Sequence, residues 1–110
     1  MIEKTKIAVS HDGGVATVSG SGEMDLYIAA EFGRALEDAV ASSASVVVDF
    51  RSVSYLDSAI VACLIKPAKA LHLVGERLKV LVAPNSYPHH MLKTLGFTEV
   101  MDIVVEDNSV

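Results

Sequence analysis

The stretch Val46-Val47-Val48-Asp49-Phe50-Arg51-Ser52-Val53-Ser54-Tyr55-Leu56-Asp57-Ser58-Ala59-Ile60-Val61-Ala62-Cys63-Leu64-Ile65 decides the fold of this chain. Val46 to Phe50 is a short β-branched run suited to a strand covered on both faces, and it is predicted to be the central strand. A short loop and an abrupt helix start follow, so Asp57-Ser58 puts one hydroxyl at a helix N-terminus. The first N–H groups of a helix lack intrahelical partners and carry a partial positive charge, so a phosphate on Ser58 is expected to meet donors. The helix itself should run from about Ser58 to Leu73, burying Ile60 or Val61, Leu64, Ala68 and Leu71, with Gly75 as a left-handed terminator. Pro67 lies inside this pattern, removes the hydrogen bond to the Cys63 carbonyl, and predicts a kink or break.

Upstream, Thr5 to His11 and Val15 to Gly20 flank Asp12-Gly13-Gly14, and the glycine pair tolerates the positive φ angles of a tight hairpin turn. Gly20 to Asp25 reads as a flexible, partly acidic loop. Ile28, Phe32, Ala35, Leu36, Ala39 and Val40 recur at helical spacing, opposite Glu31, Arg34, Glu37 and Asp38, with Asp25 placed to cap this first helix. Ala41 to Ser45 is small and polar, as a connector should be. Downstream, Leu78 to Val82 repeats the buried-strand signature, and Pro84 to Pro88 is predicted as a loop. His89 to Leu95 should be a short helix stopped by Gly96, and Val100 to Val105 leaves one weak edge strand before a polar tail, Glu106 to Val110. Hairpin, helix, strand, helix, strand, helix predicts an α/β fold with a mixed sheet and helices on its apolar faces.

One domain is expected over residues 1–110, with its core at about 5–105, and 51% hydrophobic residues supply that core. Fourteen acidic against nine basic residues give a net charge of −5, with no basic run to track a phosphate backbone, so no direct nucleic-acid binding is expected. The single cysteine, Cys63, permits no intramolecular disulfide. Met1 to Lys6 carries no apolar signal core, and Lys66, Pro67 and Lys69 interrupt the longest apolar run. The expectation is a cytoplasmic protein without membrane insertion.

Each chemical motif has a plain alternative. Asp and Ser are preferred helix caps, so one of Asp57 and Ser58 is expected to cap the second helix. His89-His90 suggests no metal site, because neighbouring helical residues point about 100° apart and no acid or cysteine stands at ligand spacing. Ser58 lacks the Gly-x-Ser-x-Gly elbow of a hydrolase, and Cys63 sits on an apolar helical pattern as a small core residue. The glycines complete no phosphate-binding loop, since Gly-Lys-Ser/Thr is absent. No enzyme activity, cofactor or metal is therefore expected.

The opening stretch, with Leu78-Lys79-Val80-Leu81-Val82 and Met91-Leu92-Lys93-Thr94-Leu95-Gly96-Phe97, resembles the STAS-domain family, whose best-known members are bacterial anti-sigma factor antagonists. The resemblance runs from about Ile7 to Val105. It implies a four- or five-stranded mixed sheet, largely covered on one side by helices, with the Ser58 loop exposed at a sheet end. In those antagonists the motif Asp-Ser-Ser/Thr-Gly-Leu is phosphorylated on the serine after the aspartate, which corresponds to Ser58. Ala59, Ile60 and Val61 replace the rest, so Ile60 adds a β-branched side chain where the family's glycine lets a partner approach. Gly22-Glu23-Met24-Asp25 resembles the family's Gly-Glu-Leu-Asp loop. The resemblance thus implies a protein-binding regulator of transcription, with Ser58 as phosphorylation site and Glu23, Asp25, Asp57, Ser58, Ala59 and Ile60 as the partner surface. The implied partner is an anti-sigma factor serine kinase that itself binds the ATP. A homodimer stays open as an assembly state. The alternative is a non-phosphorylated STAS module of a stressosome-like complex or a lipid-transport system.

Overall fold

The computed structural model describes residues 6–107. Strands β1 (Lys6–Asp12) and β2 (Val15–Met24) form the expected hairpin, and Gly13 and Gly14 both take positive φ (57° and 83°) in its two-residue turn. Thr5 and residues 108–110 lie outside the described residues. A 3₁₀ turn (Leu26–Ile28) leads into α1 (Ala29–Ser42), then come β3 (Ser45–Leu56), α2 (Ser58–Ala62), α3 (Ile65–Leu73), β4 (Lys79–Val82), α4 (Tyr87–Thr94), a second 3₁₀ turn (Phe97–Glu99) and β5 (Asp102–Val105). The five strands lie in sequence order. β1 is antiparallel to β2, and every later pairing is parallel, which makes the sheet mixed with β3 at its centre.

Because each parallel strand is added on the same side of the last, right-handed crossovers lay α1, α2–α3 and α4 on one face. Burial alternates accordingly. Ala16, Val18, Val46, Val48 and Phe50 are buried under the helices, while Thr17, Ser19, Val47 and Asp49 on the opposite face are only half-buried. The central strand is therefore covered on one face and not on two. On the open face Asp49 accepts two hydrogen bonds from the Arg51 guanidinium (2.9 and 3.0 Å). Phe32 of α1 meets Phe50 of β3 with ring centroids 5.8 Å apart at the centre of the core. Among the described residues no helix is long and apolar enough to cross a membrane.

Element boundaries differ from those expected. Gly20 to Met24 is strand and not loop: β2 runs on through two register shifts against β3, and small residues there let the chain stay paired. β3 likewise extends to Leu56 instead of ending at Phe50. The break expected at Pro67 is present and falls just before it, so the second helical stretch is two helices. Cys63 N and Leu64 N donate to the Ile60 and Val61 carbonyls (3.1 and 3.0 Å), a tight i→i−3 turn, and Pro67 becomes the third residue of α3, where a missing N–H costs no intrahelical bond. The fourth helix starts at Tyr87 rather than His89, capped by Ser86 Oγ, which accepts from His89 N (3.3 Å) with Pro88 in the first turn.

Gly20 shows how tightly this end of β2 is packed. A Cβ there would run into the Sδ of Met24, itself fully buried, and stand 3.5 Å from a Val53 methyl. Gly20→Ala is expected to destabilise the protein by roughly 1–3 kcal/mol through overpacking, measured by chemical denaturation. Gly13→Ala, with nothing nearby, reports only the cost of positive φ.

Candidate functional site

Parallel pairing of β2 with β3 sets Glu23 beside Tyr55 and Met24 beside Leu56, so the two acidic segments reach the same end of the sheet. Asp57 N donates to the Met24 carbonyl (2.9 Å) and ties them together. Asp25 caps the 3₁₀ turn before α1, its Oδ1 accepting from Tyr27 N at 3.0 Å. Asp57 caps α2: its Oδ1 accepts from Ala59 N (2.8 Å), and its carbonyl accepts from Ile60 N and Val61 N (3.0 and 3.3 Å).

That capping settles which of the pair does what. Asp57 occupies the N–H groups of Ala59, Ile60 and Val61, while Ser58 is exposed and its hydroxyl has no hydrogen bond among the described residues. An anion on Ser58 accordingly does not meet a set of ready donors. The helix is five residues long, and the residue that caps it beside Ser58 is a carboxylate, Asp57. Glu23 is exposed, and Asp25, Asp57 and Ala59 are half-buried around the same rim.

Ile60 departs from its expected place. It is 0% exposed and belongs to the same buried core cluster as Phe32, Leu36 and Leu64, so no partner can touch its side chain. It leaves the set of candidate contact residues. The cause is the phase of α2: Asp57 and Ser58 begin the turn toward solvent, and positions 60 and 61 then turn into the core. Both Ile60 and Val61 are buried, where the sequence left one or the other.

Aromatic residues complete the face. Tyr55 and Tyr87 lie with ring centroids 5.1 Å apart, and Tyr27 is 90% exposed just after Asp25. Partial desolvation, then the charge of Asp57, with Tyr87, Glu23 and Asp25 adding, push the Tyr55 hydroxyl above the ordinary tyrosine value. Tyr55 was legible as an exposed aromatic on an alternating strand next to the Asp-Ser pair, but only with β3 drawn to its full length.

Elsewhere, the Cys63 thiol donates to the Ala29 and Ala59 carbonyls (3.4 and 3.3 Å) and burial pushes its pKa up, which suits a packing residue and not a nucleophile. His89 and His90 stack at 5.8 Å, with His89 half-buried and His90 exposed.

The family model described as "Mlab, STAS domain" matches residues 7–106. The chain belongs to the STAS-domain family. This STAS domain matches no curated protein in sequence. Among solved structures it is similar to an anti-sigma factor antagonist from Mycobacterium paratuberculosis (22% identity, TM-score 0.81, covering 92% of this chain and 86% of that one). It is also similar to the Bacillus cell fate determinant SpoIIAA in its phosphorylated form (17% identity, TM-score 0.70, covering 92% and 93%). The anti-sigma factor antagonist SpoIIAA in its unphosphorylated form gives 14% identity and a TM-score of 0.69 over 94% and 90%. At these identities the likeness establishes the fold.

Proposed function

We propose that this STAS domain is a cytoplasmic anti-sigma factor antagonist, a non-catalytic regulator that binds a partner protein and is switched by phosphorylation of Ser58. The observation that carries the reading is the placement of Ser58: an exposed hydroxyl with no hydrogen bond, directly after the capping Asp57, on a rim shared with Glu23 and Asp25. The partner is a serine kinase of the anti-sigma class that holds the ATP and passes its γ-phosphoryl group to Ser58 Oγ, releasing ADP. Unphosphorylated protein binds the partner through Glu23, Asp25, Asp57, Ser58 and Ala59. The phosphoserine adds about −1.5 to −2 charges to an already acidic rim and repels that contact. The burial of Ile60 supports the reading, because the residue that replaces the motif's glycine takes no space on the docking face.

Incubation with ATP and candidate kinases should label Ser58 alone, located by mass spectrometry, and Ser58→Ala should lose the label. Equal labelling of Ser58→Ala and the parent sinks the proposal. A second reading, a constitutive assembly subunit of a stressosome-like or lipid-transport complex, is favoured by Ala59-Ile60-Val61 standing where the antagonist motif has Ser/Thr-Gly-Leu. It predicts partner binding through the same face with no label at Ser58 and no effect of charge there.

A further inference from the structure

β1 ends the sheet, and among the described residues no strand lies on its outer side. The turn decides which of its backbone groups are left there. A two-residue turn with both glycines at positive φ makes Asp12 and Val15 a hydrogen-bonded pair, and such pairs alternate along an antiparallel ladder. The N–H and C=O groups of Asp12, Ser10 and Ala8 therefore point at β2, whereas those of His11, Val9 and Ile7 point outward. In agreement, the Ser19 hydroxyl of β2 donates to the Ala8 carbonyl at 3.4 Å. A row of open backbone groups templates another strand, so natural edges are normally guarded. At the far edge β5 is only four residues long, and acids held in ion pairs stand at both its ends, Asp102 with Arg77 and Glu106 with Arg51. β1 has no such guard. It runs seven residues in unbroken register with β2, and Ile7 to Ser10 contains no charge, no proline and no bulge.

The edge is complementary to itself, and that identifies the occupant. An antiparallel second copy related by a two-fold axis at Val9 sets Val9 opposite Val9, Ile7 opposite His11 and Ala8 opposite Ser10. The first two kinds of pair use the outward backbone groups, so each exchanges both of its N–H and C=O bonds. Val9, 45% exposed in the single chain, is then covered by its own counterpart, and only the small side chains of Ala8 and Ser10 meet on the other face. Asp12 falls across from position 6, a lysine, which matches opposite charges at both ends of the pairing. Any shift along the strand shortens the overlap and loses that match. We propose that this protein forms a symmetric dimer through β1, its two five-stranded sheets joining into one with Val9 against Val9 at the axis. Because the axis reverses the strands, the two Ser58 rims lie at opposite ends of the joined sheet and both stay open. The dimer stands apart from the Ser58 reading, and its fate does not depend on it.

In sedimentation equilibrium the full-length protein should pass from monomer at about 1 µM to dimer at about 0.5 mM, as suits an interface at the small end of the specific range. Val9→Lys sets two lysines against each other at the axis, so the dissociation constant should rise more than about tenfold. Val9→Thr, β-branched and uncharged, should stay within about threefold of the parent. Position 9 is exposed in the single chain, and an unchanged melting temperature of dilute Val9→Lys confirms that it folds. Amide hydrogen exchange reads the pairing itself. Ile7, Val9 and His11 should exchange slowly in the dimer and fast after dilution, while Ala8, Ser10 and Asp12, bonded to β2, stay slow in both. The proposal is overturned if the parent is monomeric at every concentration, if Val9→Lys dimerises as tightly as the parent, or if Ile7, Val9 and His11 exchange equally fast in dimer and monomer. It is also overturned by a dimer that Val9→Lys leaves intact and that Val100→Glu, on the exposed apolar surface beside Leu73, makes monomeric, since the copies then meet there.

Discussion

Ile60→Gly should lower the melting temperature by more than about 10 °C and bring no gain in partner affinity, although it restores the glycine of the antagonist motif. Ile60 is fully buried, so removing its side chain forfeits roughly 2–5 kcal/mol of transfer and cavity energy, and glycine inside α2 adds about 1 kcal/mol. That sum is a large share of the total stability of a small domain, about 5–15 kcal/mol. If Ile60→Gly does not fold, Ile60→Val keeps the test open with an expected loss of roughly 0.5–1.5 kcal/mol. Thermal unfolding followed by circular dichroism measures the first effect and titration calorimetry the second. A glycine variant as stable as the parent that binds a kinase-type partner more tightly would place Ile60 on the interface and contradict its packing here.

Ile60 also shows where sequence reading stops. Its β-branched, apolar character was visible, but whether position 60 faces a partner or the sheet depends on the phase of α2, and a helix of five residues holds too little period to set one. The elements whose signal is local were legible: the Gly13-Gly14 turn, the run Val46 to Phe50, the stripe Phe32, Leu36 and Ala39, and the interruption around Pro67. Errors fell where tertiary pairing overrides propensity. Gly20 and Gly22 read as loop because glycine is poor in strands, yet Gly20 pairs with Ile7 of β1 and Gly22, at positive φ (72°) beside a register shift, pairs with Val53 of β3, so the strand continues to the buried Met24. The same extension hid Tyr55 and Tyr87, which are 32 positions apart in sequence and meet only once β3 runs to Leu56. At the candidate site, Asp57 and Ser58 were both legible as caps. Which one caps depends on an Oδ1 to N–H distance that spacing does not contain.

Ser58→Asp should weaken partner binding about tenfold and phosphorylation of Ser58 about a hundredfold, with the melting temperature of each near that of the parent. The stability half follows from the cap. Asp57 already accepts from Ala59 N and takes Ile60 N and Val61 N on its carbonyl, so a second anion at position 58 gains few donors, and an exposed hydroxyl without a hydrogen bond leaves nothing broken behind it. The binding half follows from the rim. Glu23, Asp25 and Asp57 form an acidic edge whose natural complement is a basic partner surface, and the tyrosines beside it supply flat contact area. An aspartate adds one negative charge to that edge and a phosphoserine nearly two, so the losses should rank in that order, while Ser58→Asn, similar in size and uncharged, should bind almost as the parent does. Salt separates charge from shape: raising the ionic strength from about 0.1 to 1 M shortens the Debye length from about 10 to 3 Å, so part of the Ser58→Asp loss should be recovered. Equal affinities of Ser58→Asp, Ser58→Asn and the parent in calorimetry would end the charge-switch reading. Equal losses for the aspartate and asparagine variants at every ionic strength would make Ser58 a contact whose shape matters and whose charge does not.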